Sequence, residues 1–172
     1  MVIHKIGDIL TQNEAKYICH QVNCKGVMGA GLAKQIRKII STEQFHSYQL
    51  MCMNHGADCL GQIQVFDLPD RRSIINLFGE NIPTGKQCDT DYDSLYKSLG
   101  TARELAERTG NSMAVPGFLG CGLAGGDWNI VYHDILEKLF RDGNVDLYIF
   151  WLNEELFTEG INILERNHEK KR

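Results

Sequence analysis

The feature that most constrains this chain is a pair of glycine-rich turns, each joining an apolar run of strand length to a helical pattern. The first is His20-Gln-Val-Asn-Cys-Lys-Gly-Val-Met-Gly-Ala-Gly-Leu-Ala-Lys34. The run at 17–22 reads as a strand buried on both faces, and Asn23 stops it. Gly26, Gly29 and Gly31 follow, then Leu32, Ala33, Ile36, Ile39 and Ile40 at helical spacing. A strand that opens through glycines into a helix start leaves backbone N–H groups unpaired, and the helix dipole adds positive potential there. The expected guest is an anion such as phosphate. The second turn is Pro116-Gly-Phe-Leu-Gly-Cys-Gly-Leu-Ala-Gly-Gly126. It lies between the short apolar run 112–115 and a helical pattern at Trp128, Val131, Ile135 and Leu139. One such loop constrains little; two imply a pair of loops closing on a diphosphate.

The commoner phosphate motifs fit poorly. Gly85-Lys86 is followed by Gln87 where the nucleoside-triphosphatase loop needs Ser or Thr, and the earlier glycine of that motif is missing. A dinucleotide-oxidoreductase reading stays open, because Gly120, Gly122 and Gly125 match G-x-G-x-x-G. The acidic residue expected about twenty positions later should end the next strand, whereas Asp146 begins one.

At these residues the chain resembles the macrodomain family, whose members bind ADP-ribose. Gly7-Asp8-Ile9 resembles the family's Gly-Asp-Ile start, and Val22-Asn-Cys-Lys-Gly-Val-Met-Gly-Ala-Gly31 resembles its first ligand loop. Gly120-Cys-Gly-Leu123 with Trp128 resembles the second. The form is that of a divergent branch holding the terminal ADP-ribose glycohydrolases, the DNA ADP-ribose glycohydrolases and the yeast-type ADP-ribose-1''-phosphate phosphatases. The resemblance covers about residues 1–152. It implies a three-layer α/β fold, with a mixed, mostly parallel central sheet flanked by helices. Alternation of strand and helix patterns along the chain points the same way. A macrodomain-like domain is expected over 1–152 and a polar tail, with at most one short helix, over 153–172.

Composition narrows the partners. A chain of 172 residues buries roughly 70% of its unfolded surface as one domain. The formal charge of -4 argues against a duplex-binding protein, which should be basic. No signal peptide or long apolar run is visible, so a soluble cytoplasmic protein with no membrane association is expected. The six cysteines do not form a secreted disulfide pattern. Cys52-x-x-His55-x-x-x-Cys59 is loose for structural zinc, which takes four ligands, so no metal and no cofactor is expected.

The resemblance also implies roles. The ligand-binding set is Asp8, Ile9, Asn23, Val27, Met28, Gly29, Ala30, Gly31, Pro116, Phe118, Leu119, Gly120, Cys121, Gly122, Leu123 and Trp151. Asp8 would accept from the adenine amino group or serve as a turn residue; Asn23 would touch the distal ribose. Trp151 or Phe150 would stack on adenine or belong to the core. Four residues are candidates for catalysis: His20, Asn23, Lys86 and Asp127. His20 matches His-x-x-Asn-Cys-x-Gly of the phosphatases, and imidazole suits proton transfer near neutral pH. Lys86 sits in the segment where the glycohydrolases carry a lysine, but the aspartate they pair with it is replaced by Ala124. Asp127 is either a helix cap or a catalytic carboxylate. The expected activity is hydrolysis at the distal ribose of ADP-ribose-1''-phosphate or of an ADP-ribosylated protein or nucleic acid. The contrasting class is a non-catalytic ADP-ribose reader.

Overall fold

Strands β2 (Tyr17–Asn23) and β4 (Ser73–Glu80) read as near-continuous apolar runs because helices cover both faces of the sheet they share. The computed structural model describes residues 1–170, with side chains as far as residue 167. The remaining elements, in chain order, are β1 (Val2–Ile6), α1 (Gly31–Ile39), α2 (Thr42–His55), β3 (Ile63–Asp67), α3 (Tyr92–Thr109) and β5 (Met113–Pro116). A π-helical stretch, Ile130–Leu136, then runs into α4 (Glu137–Phe140), followed by β6 (Leu147–Trp151) and α5 (Glu154–Lys170). The strand order is β1-β6-β5-β2-β4-β3, with every neighbouring pair parallel except β3 and β4.

Side chains alternate across this sheet into two cores. Cys19, Ile75, Leu77, Met113 and Val115 pack on one face with α3, the π-helical stretch and α5. Ile18, Val22, Ile74, Phe78 and Ala114 pack on the other with α1 and α2. The three-layer α/β architecture expected from the sequence is the one observed.

Local signals behave as their chemistry requires, with three differences. The Ser41 capping box is complete, Ser41 accepting from the Gln44 amide and Gln44 returning to Ser41. Gly110 ends α3 in the left-handed conformation. The cap of α3, however, is Asp91, which accepts from Ser94 N at 2.9 Å. The sequence Thr90-x-x-Asp93 reads as the capping pair of that helix, but Thr90 instead bridges to Glu80 of β4 and hydrogen-bonds into the second glycine loop. The helix expected from Asp127 to Phe140 is π-helical through its middle. Thirdly, the segment read as a polar tail forms the 17-residue α5. One of its faces packs through Leu156, Phe157, Ile163 and the buried Leu164. Gly160 lets the helix come down on Trp151, since a Cβ there would overlap the indole.

Candidate functional site

In parallel strands the carboxyl ends share one edge, and loops leaving that edge can meet. Here Asn23 ends β2, Glu80 ends β4 and Pro116 ends β5. The segments leaving them enclose a cavity of about 560 Å³. Gly29 and Gly122 line this same cavity, so the two glycine loops do share one cleft.

The first loop is held from below by Asn23. Its Oδ1 accepts from the amides of Lys25 (3.0 Å) and Val27 (3.3 Å), and its Nδ2 donates to Val27 O (2.8 Å). The buried Tyr48 hydroxyl meets both the carbonyl and the side-chain oxygen of Asn23, at 2.7 and 3.0 Å. Asn23 thus fixes the loop's path while lining the cavity. Above it, Ala30 caps α1 without a side-chain acceptor, so the first amides of that helix stay open toward the cleft. Gly31, at φ 57°, makes the turn into the helix.

The second loop is more contorted. Phe118 holds a positive φ of 59°, a strained conformation for a bulky residue. Its ring is fixed edge-on to Trp151 and Trp128, at centroid distances of 5.0 and 5.6 Å. Gly126 N and the Thr90 hydroxyl both donate to Gly120 O, at 2.9 and 2.6 Å. Asp89 N and Thr90 N donate to Ala124 O, tying the loop to the segment after β4. Among the described residues, the amides of Leu119, Gly120 and Gly122 take no part in this scheme. They are among the free donors of the second loop.

The third wall is the segment after β4. Asp89 gathers it, accepting from the amides of Thr84 and Gly85 and from the Thr84 hydroxyl, and these bonds hold its carboxyl below the usual range. Glu80 is buried, 8 % exposed, and faces the cavity. Burial and the nearby Asp89 charge raise its carboxyl above the ordinary value.

His20 also lines the cavity although only 2 % of it is exposed. Its Nε2 lies 2.7 Å from Asn76 Oδ1, Asn76 Nδ2 donates to Gln64 Oε1, and Gln64 Nε2 donates to Ser47. That chain assigns Nε2 as the protonated nitrogen. Burial pushes the imidazole down to about 4, so the ring is neutral at physiological pH. A neutral ring whose proton is committed to Asn76 can accept a proton at Nδ1 more readily than donate one.

Of the residues singled out from sequence, His20, Asn23, Val27, Gly29, Ala30, Gly31, Pro116, Phe118, Leu119, Gly120, Gly122 and Leu123 line the cavity. Seven do not. Ile9 and Met28 are core residues, 6 % and 5 % exposed. The Asp8 carboxylate accepts from its own Leu10 amide at 2.8 Å. Cys121 packs under the loop, its thiol raised to about 12 by burial. Lys86 is exposed on the segment after β4. Asp127 accepts from Asn129 N at 2.8 Å as a helix cap. Trp151 is 1 % exposed, clasped by Gly117 and Gly160 with its Nε1 on His4, so no face is open for adenine. Lining residues not singled out as site residues from sequence include Gln21, Glu80, Pro83, Thr84, Gly85 and Asp89. The segment 79–88, polar and carrying Pro83 and Gly85 after a buried strand, does read from sequence as a loop of functional size able to meet both glycine loops, and Glu80 adds a carboxylate at the end of a mostly apolar strand.

Cys24, Cys52 and Cys59 meet beneath the first loop, all free, with Cys24 and Cys52 raised to about 12 and 11 mainly by burial. Among the described residues no group of three His, Cys, Asp or Glu is arranged to hold a metal ion. No described helix is long and apolar enough to cross a membrane.

No family profile matches the chain. Curated relatives from Mycobacterium bovis and Mycobacterium tuberculosis, each named DNA ADP-ribosyl glycohydrolase, are 30% identical over 156 residues. The alignment takes in 87% of this chain but 42% of each relative, so the chain spans about two fifths of their length. The solved macrodomain of Mycobacterium tuberculosis DarG superposes with a TM-score of 0.71 at 28% identity, covering 87% of this chain and 97% of that one. Thermosipho africanus DarTG in complex with ADP-ribose shares the fold at a TM-score of 0.65 and 20% identity, over 86% of this chain and 41% of that one. In fold and in sequence likeness, this chain belongs with the macrodomains.

Proposed function

We propose that this chain binds ADP-ribose in the cleft between its glycine loops and hydrolyses a bond at the distal ribose. The observation that supports this is the meeting, in one cavity of nucleotide size, of two loops with free main-chain amides, those of Gly29, Ala30 and Gly31 and those of Leu119, Gly120 and Gly122. In this reading the diphosphate lies between the loops and the adenosine runs toward β6 and β1, where Asp8 and Ile9 stand. The distal ribose reaches the ends of β2 and β4, beside Asn23. Amides aimed at the diphosphate would also stabilise negative charge developing in the transition state.

The name of the mycobacterial relatives supports an ADP-ribosylated macromolecule, protein or nucleic acid, as substrate. Lys86, outside the cavity lining, and Ala124, within it, give no lysine–aspartate pair. A second reading, ADP-ribose-1''-phosphate phosphatase, is favoured by the presence of His20 in the cavity wall. Six free thiols fit a reducing compartment, and the proposal places the protein in the cytoplasm.

Calorimetric titration with ADP-ribose and NAD tests the binding half. ADP-ribose is expected to bind more tightly, and a preference for NAD would restore the oxidoreductase reading. Release of ADP-ribose from ADP-ribosylated DNA or protein, and of phosphate from ADP-ribose-1''-phosphate, tests the hydrolytic half in native and His20→Ala protein. Binding without release in either assay would leave a reader module.

A further inference from the structure

One group in the cleft has a chemistry that the amide loops do not explain. Glu80 is 92 % withdrawn from solvent, with 8 % exposed, yet its carboxylate has no hydrogen bond and no ion pair among the described residues. Buried polar groups are nearly always partnered, and a buried carboxylate left alone costs far more than a neutral group. The carboxylate borders the cavity, so a ligand can supply the missing donors. Its place in the sheet says which part of the ligand that is. Glu80 stands opposite Asn23 in the β2–β4 register, on the far side of β2 from β5, β6 and β1. The diphosphate cradle is built by the loops after β2 and β5, so Glu80 lies beyond it, away from the adenosine end.

Resting on the ADP-ribose reading, we infer that Glu80 is a specificity-determining residue that accepts hydrogen bonds from the hydroxyl groups of the distal ribose. A carboxylate suits a vicinal diol because it offers two acceptor oxygens and no competing donor. Neighbouring acceptors reinforce the polarity of this end. Gln21 Oε1 is buried without a partner, and Asp89 lines the same cavity. A ligand part that reaches here must bring donors.

The test compares ADP-ribose with ADP, which lacks the distal ribose, by calorimetry on native, Glu80→Gln and Glu80→Leu proteins. Glu80→Leu is expected to weaken ADP-ribose binding about ten- to a hundredfold, the range for hydrogen bonds to a charged group. ADP binding is expected to change by less than about twofold, since ADP carries no group that reaches Glu80 and sites without a shared contact act nearly independently. Glu80→Gln, which keeps one acceptor oxygen, is expected between native and Glu80→Leu. If Glu80→Leu fails to fold by circular dichroism, the same ADP-ribose-against-ADP split in Glu80→Gln decides. Equal losses toward both ligands, or none toward ADP-ribose, would overturn the assignment. Native protein that binds no ADP-ribose would instead overturn the functional reading on which it rests.

Discussion

Replacing Gly125 by alanine perturbs the site without touching the ligand. Gly125 is not in the cavity lining, but it sits where the second glycine loop meets the segment after β4. Two separable effects add there. Its φ of 70° lies in the left-handed region, which costs a residue with a Cβ about 1–2 kcal/mol. The new Cβ would also fall 2.7 Å from the carbonyl oxygen of Gln87, a backbone atom that cannot rotate aside. Forcing such a contact open costs about 1–3 kcal/mol. The sum is about 2–5 kcal/mol. Urea unfolding followed by the emission of Trp128 and Trp151, both buried, measures it directly. With an m-value of about 2 kcal/mol/M, the midpoint should fall by roughly 1–2.5 M. Gly122→Ala is the control: no atom lies within 4 Å of its added Cβ and its φ is not positive, so stability should stay within about 0.5 kcal/mol. Gly122 does line the cavity, so this variant should lose ADP-ribose affinity instead. A Gly125→Ala protein as stable as native would refute the reasoning, because neither the strain nor the overlap would then exist.

Two further outcomes follow from groups outside the loops. Because burial and the nearby Asp89 charge raise the carboxyl of Glu80 above the ordinary glutamate range, its contribution to stability is full below that range and lost as pH rises through the raised value. Glu80→Gln carries no such titration. It should match native stability near pH 4 and exceed it by on the order of 1 kcal/mol at pH 7, in parallel chemical denaturations at the two pH values; lower stability at pH 7 would contradict it. Gly100, inside α3, would place a Cβ at ordinary contact distance, 3.8 Å, from Leu139. Gly100→Ala should therefore stabilise by about 0.5–1 kcal/mol through helix propensity, read as a raised thermal midpoint with ADP-ribose binding unchanged.

The fold was legible because its signals are local and mutually consistent. Apolar runs at β2 and β4, the Ser41 box and Gly110 each name an element by short-range chemistry. The α5 face was not, since Leu156, Phe157, Gly160, Ile163 and Leu164 are diluted by charge, and only the proximity of Trp151 shows what they cover. The same tertiary fact removes Trp151 from the candidate site. Asp91 displaced Thr90 as the cap because Thr90 is held by Gly120 O and Gln21, contacts distant in sequence. The glycine loops announced themselves as amide donors. The acceptor side, Glu80 with Gln21 and Asp89, did not, because an isolated carboxylate in a sequence looks the same whether it faces water or a cleft.

Several features that oppose folding meet in the cavity wall. Among the described residues Phe118 is one of two non-glycine residues with positive φ, and it stands in the cavity wall. Among the described residues Glu80 is a buried carboxyl without a partner, His20 a buried imidazole held neutral, and Gln21 Oε1 a buried acceptor without a donor. Each opposes folding, and together they oppose it by several times the worth of a single good contact. Other polar groups are satisfied within the chain: Arg72 binds Asp70 and two carbonyls, and in the cleft itself Asn23 fills its loop's needs one by one. Strain gathered at a cleft is what a site built for a partner requires, because the partner relieves it on binding. It follows that the ligand should stabilise this fold by more than mass action on an indifferent surface would suggest. The variants that lose the strain at Glu80 should gain stability in the same measure that they lose discrimination for the distal sugar.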